Sequence, residues 1–160
     1  MTISDSPALP YELRRANPSD AEALTELARE SKASWGYPAQ WMGAWAAELT
    51  ISAAYIAMHR VTVACTAREI VGMCAVEDHG DHWMLEHVWV SPRAQRRGVG
   101  RMLVLDALIA ARRQSAAPVR LLADPFAQGF YARLGAHETG SIAAPMDGDP
   151  ERRLVRMEFE

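Results

Sequence analysis

The turn at residues 95–100, Gln-Arg-Arg-Gly-Val-Gly, constrains this chain more than any other segment. The apolar run 88–90 before it predicts a strand, and the stretch from Val99 to about Arg113 predicts a helix. The first backbone N–H groups of a helix have no partner within the helix, and they lie at the positive end of its dipole. The two glycines of the turn leave those groups open to an approaching phosphate. A phosphate-binding turn between a strand and a helix is therefore the first expectation.

Arg96, Arg97 and Arg101 add positive charge to this turn, in a chain whose formal net charge is −3. The turn differs from two better-known phosphate-binding loops. It lacks the pattern G-x-x-x-x-G-K-S/T, and the dinucleotide fingerprint would need a third glycine where Leu103 stands. The contrast between a basic turn and a slightly acidic chain fits the binding of an anionic cofactor.

The composition is that of one soluble globular domain, with 49% apolar and 23% charged residues among 160. We expect a single domain over residues 1–160, with a flexible segment at 1–9. The net charge argues against a general affinity for nucleic acid or for an anionic membrane. Neither a signal peptide nor a transmembrane helix is expected, so a cytoplasmic location is the default. Cys65 and Cys74 are predicted to be buried thiols, and no spacing of Cys and His predicts a metal site.

Hydrophobic periodicity predicts the element order βααβββαβαββ, an α/β chain with a mixed sheet. Strands are predicted at 11–16, 60–66, 70–77, 83–91, 119–123, 137–142 and 153–159. Helices are predicted from a capping Asn17 to the break at 36–38, from Pro38 to about Leu49, from Val99 to about Arg113, and from Pro125 to Leu134. The segment 50–59 is predicted to be a loop with a helical turn.

A second motif supports a family assignment. The turn at 95–100 matches Q/R-x-x-G-x-G/A in full, and Ala127, Phe130, Tyr131 and Gly135 follow at a typical spacing. Over roughly residues 84–136 the chain thus resembles the GCN5-related N-acetyltransferase (GNAT) superfamily. Asp124 stands where the family more commonly has Asn, which puts one hydrogen bond to the cofactor in question.

The resemblance implies a fold and a cofactor. The fold is a mixed, mostly antiparallel central sheet with a V-shaped splay and helices on both faces. The cofactor is acetyl-CoA, whose pantetheine would lie along the exposed edge of 88–90 as an added strand does. The residues expected to bind it are Val88, Trp89, Val90, Gln95, Arg96, Arg97, Gly98, Val99, Gly100, Arg101, Asp124, Phe126 and Tyr131.

Strict alternation along the strand before the turn predicts which side chains share a face. One face would carry Met84, Glu86, Val88 and Val90, and the other Leu85, His87, Trp89 and Ser91. Counting back from the turn at the spacing usual for the superfamily's bases reaches Met84 and Glu86, and only Glu86 can take a proton. A raised pKa is expected for a carboxyl group among apolar neighbours. The alternative is a structural or substrate-binding Glu86, and His87 is predicted to be structural.

Tyr131 is predicted to protonate the departing thiolate, because the resemblance places a tyrosine hydroxyl beside the thioester sulfur. The resemblance also gives the backbone N–H of Val90 as the donor to the oxyanion. Without the motif, a tyrosine on a helix face would be interpreted as core. Trp35 and Tyr37 are predicted to line the pocket of the acceptor, although helix aromatics are also often core residues.

These residues predict an acetyl-CoA-dependent N-acetyltransferase that acts on a small molecule or an amino-acid-like amine, by direct transfer in a ternary complex. Two alternatives stay open. One is a protein lysine or N-terminal acetyltransferase, and the other is a non-catalytic regulatory domain that binds acyl-CoA. A small-molecule amine is the expected partner, with no nucleic acid, no membrane and no metal, and a homodimer stays open as well.

Overall fold

A computed structural model describes residues 10–160, so the segment 1–9 that was predicted to be flexible lies outside the described residues. The described part contains seven strands and five α-helices. The strands are β1 (Glu12–Arg15), β2 (Arg60–Cys65), β3 (Ile70–Asp78), β4 (Trp83–Val90), β5 (Val119–Ala123), β6 (His137–Ala143) and β7 (Arg153–Phe159). The helices are α1 (Ala21–Ala33), α2 (Ala39–Ala44), α3 (Ala53–Met58), α4 (Val99–Gln114) and α5 (Gln128–Arg133).

One open sheet runs through the molecule in the order β1-β2-β3-β4-β5-β7-β6. All neighbouring strands are antiparallel except β4 and β5, which are parallel. Helix α4 covers one face with a core that includes Val99, Leu103 and Leu108, while α1 and α3 cover the other with Leu24 and Ile56. The predicted fold, a mixed and mostly antiparallel sheet with helices on both faces, is confirmed.

Two predicted helices are shorter in the structure. The helix predicted from Pro38 to Leu49 ends at Ala44, because Ala46 N–H already bonds to the carbonyl of Gly43 three residues back and the chain tightens into turns. The helix predicted from Pro125 begins at Gln128, because residues 124–127 form a turn instead. The segment predicted as a loop with a helical turn contains α3.

The two central strands separate soon after they pair. β4 pairs with β5 only at Trp83 with Val119 and at Met84 with Arg120, whereas it pairs with β3 along its whole length. The rest of β4, up to Val90, therefore has a free edge on the β5 side. This is the V-shaped splay that the resemblance implied.

A β-bulge at Glu86 interrupts the alternation of β4. Consecutive residues of β3, Ala75 and Val76, pair with His87 and Leu85, which leaves Glu86 as the extra residue. Side-chain direction therefore reverses at this point. Leu85 lies in the α4 core, and Val88 and Val90 pack against the same core. The predicted sharing of one face by Met84, Glu86, Val88 and Val90 is wrong for this reason.

The approach of α4 to the sheet depends on a glycine in β3. A Cβ added at Gly72 would lie 2.9 Å from Val99 Cγ1 and 3.0 Å from Leu103 Cδ1. We expect Gly72→Ala to lower the free energy of unfolding by about 1–3 kcal/mol, because the buried methyl group overpacks the core. Urea denaturation measures this change.

Gly43→Ala in α2 is the matched control, because nothing lies within 4 Å of the added Cβ. This control should leave stability unchanged or raise it by up to about 1 kcal/mol, since alanine is the better helix former. Equal effects of the two substitutions would contradict the packing argument.

Candidate active site

The start of α4 forms an open turn at the head of the splay. Gly98 is the N-cap with φ +82°, and Arg96 also has a positive φ of +63°. Only glycine adopts such a conformation without strain, which explains residue 98. No described side chain caps the helix, so its first N–H groups face outward. The predicted phosphate-binding turn therefore has the backbone geometry that such a site needs.

A cavity of about 500 Å³ extends from this turn along the free edge of β4 to α5. Ten of the thirteen predicted cofactor residues line it: Val88, Val90, Gln95, Arg96, Gly98, Val99, Gly100, Arg101, Phe126 and Tyr131. We call this cavity the cofactor groove. Arg97 is exposed outside it, and Trp89 and Asp124 line a neighbouring cavity instead.

The backbone of Val90 faces the groove. Ser91 N–H donates to the carbonyl of Val71 at 2.8 Å, so the alternation of an antiparallel ladder turns the N–H and C=O of Val90 away from β3. Gln95 Nε2 donates to that carbonyl at 3.2 Å and to Ser34 Oγ at 3.5 Å. The N–H of Val90 is thus left as a donor at the splayed edge, and Gln95 ties the turn to the end of β4.

A second cavity, of about 270 Å³, opens on the other side of the splay. Its lining includes Lys32, Glu48, Glu86, His87 and Asp124, and we call it the acceptor cleft. Its lining and that of the cofactor groove share four residues: Trp35, Val88, Ala127 and Tyr131.

Tyr131 lies where the two cavities meet. Burial raises the pKa of its hydroxyl well above the ordinary value, so the group stays protonated at neutral pH. A neutral phenol is a hydrogen-bond donor. The arrangement can therefore supply a proton at the boundary between the groove and the cleft.

Glu86 and His87 both line the acceptor cleft because of the bulge, so the prediction that they lie on opposite faces is wrong. Solvent reaches Glu86, but the surrounding protein raises the pKa of its carboxyl group, and the charge of Glu77 adds to this. Burial lowers the pKa of His87 to about 4. Trp89 Nε1 donates to His87 Nδ1 at 3.0 Å, and an indole N–H only donates, so the proton of the neutral imidazole lies on Nε2.

Asp124 is held by contacts within the protein. Its Oδ2 accepts from Tyr37 Oη at 2.5 Å and from Arg152 Nη2 at 2.9 Å, and its Oδ1 accepts from the N–H of Phe126 at 3.2 Å. Lys32 Nζ lies 3.8 Å from Oδ2. Both carboxylate oxygens thus have partners, and the structure does not support the predicted bond from this side chain to the cofactor.

The aromatic segment after α1 surrounds the protein's own cations. Lys32 Nζ lies 4.1 Å from the centroid of the Trp45 ring, and the guanidinium of Arg152 lies 5.1 Å from it. Tyr37 stacks on Trp41 and does not line the acceptor cleft or the cofactor groove, so its predicted place in the acceptor pocket is wrong. Trp35 does reach both cavities. Lys32 lines the acceptor cleft, and Arg152 pairs with Asp124, which also lines it; the sequence analysis found neither cation.

A pH titration tests the buried state of His87. Its pKa is about 4 in the folded protein and 6.5 ordinarily, so the unfolded chain binds the proton first as the pH falls. The resulting stability is fully present above pH 6.5 and is lost toward pH 4, by about 3 kcal/mol. We expect His87→Gln, whose amide oxygen can still accept from Trp89, to lose less stability over this range. Unfolding curves that shift in parallel for both proteins from pH 7 to pH 4 would contradict the assignment.

Within residues 10–160, no cluster of three or more His, Cys, Asp or Glu side chains could hold a metal ion. No helix in the same range is long and apolar enough to cross a membrane.

The sequence and the fold were compared with known proteins. Residues 57–135 match the family model described as the acetyltransferase (GNAT) domain. No curated protein matches the sequence.

Solved structures of similar fold cover nearly the whole chain. The PaiA N-acetyltransferase of Thermoplasma acidophilum, solved in complex with coenzyme A, is 19% identical with a TM-score of 0.73, over 94% of this chain and 98% of that one. A GCN5-related N-acetyltransferase of Rhodopseudomonas palustris is 20% identical with a TM-score of 0.77, over 94% and 95%. The ribosomal-protein-S18-alanine N-acetyltransferase of Escherichia coli is 16% identical with a TM-score of 0.71, over 93% and 92%.

At these identities the solved structures establish the fold, and the family model covers the segment that carries the signature turn and the Phe-Tyr pair. Residues 57–135 thus match the acetyltransferase (GNAT) domain, and the described chain has the fold of solved GCN5-related N-acetyltransferases.

Proposed function

We propose that the protein transfers an acetyl group from acetyl-CoA to the primary amine of a small-molecule or amino-acid-like acceptor. One observation carries the proposal: the cofactor groove and the acceptor cleft meet at Tyr131, on the free edge of β4. Acetyl-CoA bound in the groove would place its thioester at this point, and an amine bound in the cleft would reach the thioester from the other side.

The lining of the groove suits the chemistry of coenzyme A. The diphosphate would bind the N–H groups at the start of α4, with Arg96 and Arg101 nearby. Pantetheine amides would bond to the free backbone edge at Val88 and Val90, as an added strand does. The Thermoplasma relative of similar fold was solved in complex with coenzyme A, which supports coenzyme A as the ligand of the groove.

The proposed reaction has three proton and charge steps. Glu86, directly or through a water, takes a proton from the acceptor ammonium, and the amine nitrogen attacks the thioester carbon. The N–H of Val90 donates to the oxyanion of the tetrahedral intermediate. The C–S bond then breaks, and Tyr131 donates its proton to the thiolate of coenzyme A. The second proton that the nitrogen loses as it becomes an amide passes through solvent to Tyr131 and restores the phenol.

Direct transfer is favoured over an acyl-enzyme because neither cysteine is placed to attack. Burial raises the pKa of Cys74 to about 12, so it is not a thiolate at neutral pH. Cys65 lines a separate surface cavity beside Glu12 and Arg14. Neither residue lines the groove or the cleft.

The size of the acceptor cleft favours a small molecule over a peptide. At about 270 Å³ it lies just below the usual range of ligand pockets, which begins near 300 Å³. Trp45 and Leu49, both buried, form part of its wall.

Release of coenzyme A during incubation with acetyl-CoA and a panel of amines tests the proposal, and Tyr131→Phe is the diagnostic variant. We expect the variant to lower kcat by roughly 10- to 1,000-fold, because it removes one general acid, while acetyl-CoA affinity stays the same. Phe130→Leu, which alters the ring next to Tyr131 without removing a proton donor, is the control. If the wild-type protein acetylated none of the amines on the panel, the proposed function would be contradicted. If Tyr131→Phe kept the wild-type kcat, Tyr131 would not be the general acid.

Glu86→Gln tests the base. The raised pKa of Glu86 should give kcat/KM an acidic limb, since the rate grows as the carboxyl group loses its proton. We expect Glu86→Gln to flatten that limb and to slow the reaction. The acceptor's own ammonium also titrates, so two acceptors of different amine pKa are compared. If the acidic limb shifted with the pKa of the acceptor amine and persisted in Glu86→Gln, it would belong to the titration of the amine and not to Glu86.

A further inference from the structure

Lys32 is a buried cation on the wall of the acceptor cleft, and its ammonium group lacks a close acceptor. Only 15% of its side chain is exposed. Its nearest carboxylate oxygen, Asp124 Oδ2, lies 3.8 Å away, beyond the usual hydrogen-bond distance. No hydrogen bond joins Nζ to any other side chain among residues 10–160. An ammonium group carries three donors, so this one can bind a further oxygen.

The charges around Lys32 do not balance. Lys32 and Arg152 are both cations, and Asp124 is the single carboxylate between residues 10 and 160 that contacts them. Arg152 and the hydroxyl of Tyr37 take the hydrogen bonds of Asp124 Oδ2. One positive charge is therefore left in a poorly solvated place, which is costly unless an anion compensates it.

The rest of the cleft carries the opposite sign. Glu86 and Glu48 both line it. Burial lowers the pKa of Lys32, and the charges of Asp124 and of the exposed Glu48 oppose that shift. No carboxylate of either residue comes within 4 Å of Lys32 Nζ in the described structure, so neither is its ion-pair partner. The cleft thus presents a buried cation at one place and acidic groups at another.

We propose that Lys32 binds a carboxylate of the acceptor, so that the acceptor is a zwitterionic amino acid rather than a simple amine. This inference rests on the proposed function and names the substrate class of the same site. A simple diamine would place a cation against Lys32, and a dicarboxylate would place an anion against Glu86 and Glu48. An amino acid meets both signs, and its size suits a cleft of about 270 Å³.

The cage around Lys32 also prepares it for this role. The centroids of the Trp45, Tyr37 and Trp89 rings lie 4.1, 5.7 and 5.8 Å from Nζ, and Nζ lies over each ring. They favour the charged form and limit the positions of the ammonium group without occupying its N–H donors. A fixed charge loses little conformational entropy when it binds an anion.

Matched acceptor pairs test the inference. The twenty protein amino acids are compared with their carboxamides, which keep the amine and the side chain but lose the negative charge. We expect the wild-type protein to use at least one amino acid with a kcat/KM roughly 10- to 100-fold above that of its amide, the range for a hydrogen bond to a charged group. Lys32→Met, which keeps an apolar stem beside Trp45, should bring the ratio of kcat/KM for the acid to kcat/KM for the amide close to one. Lys32→Arg should keep part of it.

Arg29→Met is the matched control, because Arg29 lies one turn earlier on α1 and bonds to Thr50 outside the cleft. This variant should keep the wild-type preference. Thermal unfolding separates a structural role from a role in binding. If Lys32 were merely structural, Lys32→Met would lower the Tm and would slow the acetylation of the acids and of the amides equally. A wild-type protein without a preference for the acid, or a preference that survives Lys32→Met, would overturn the inference.

A binding experiment keeps this test independent of turnover. The N-acetyl derivatives of the amino acids and of their amides are titrated by calorimetry into the protein with coenzyme A present. We expect the acids to bind more tightly, and to lose roughly 10-fold or more of their affinity in Lys32→Met. Equal binding of acids and amides, or no binding of either, would overturn the inference. Turnover of neutral amines alone would also overturn it while leaving the acetyltransferase function intact, whereas selective binding of acids with no turnover of any amine would retain the anion site and contradict the proposed function.

Discussion

The unequal pairing of the two edges of β4 determines where the groove for an extended ligand lies. Along its β3 edge the strand has a continuous partner, but along its β5 edge only Trp83 and Met84 are paired. Backbone N–H and C=O groups in the middle of a sheet need partners, and here Gln95 supplies one to the carbonyl of Val90. The remaining donors line a groove that an extended amide chain can enter. The splay thus leaves backbone groups of β4 unpaired within the sheet and available to a ligand. The turn at the start of α4 forms one end of this groove.

A charge cluster spans the same splay from the other side. Lys32 lies on α1, which packs on the β3 and β4 half of the sheet, whereas Arg152 immediately precedes β7 in the other half. Both contact Asp124, which directly follows β5. Replacing such buried ions with well-packed apolar residues is often neutral or stabilising, so stability alone is a weak reason for their presence. Lys32 and Asp124 line the cleft and Arg152 pairs with Asp124, which supports the view that the cluster sets the charge of the cleft wall.

Local signals predicted most of the fold, and contacts distant in sequence account for what they missed. The strand, the turn and α4 are encoded within about thirty residues, and β5 and β7 begin and end where predicted. The bulge at Glu86 was not predictable, because one extra residue in β4 is visible only against the register of β3. The charged partners of Asp124, Lys32 and Arg152, lie 92 residues before it and 28 residues after it. Lys32 did carry a signal, since it stands four residues after the buried Ala28 and so extends the buried stripe of α1.

The protonation states of the residues that line the acceptor cleft also limit which of them could take a proton from an acceptor amine. His87 lines the cleft, but its low pKa and the bond from Trp89 to Nδ1 leave a neutral ring whose remaining nitrogen is a donor. It can orient a carbonyl or a carboxylate, but it cannot accept a proton there without losing that bond. The hydroxyl of Tyr131 is protonated at neutral pH, and burial raises its pKa further, so it is available as a hydrogen-bond donor. Among the groups that line the cleft, Asp124 is neutralised by Arg152 and Glu48 lies at the exposed rim. Glu86 lines the cleft at the bulge, and the surrounding protein and the charge of Glu77 raise its pKa, which supports our proposal of Glu86 as the base.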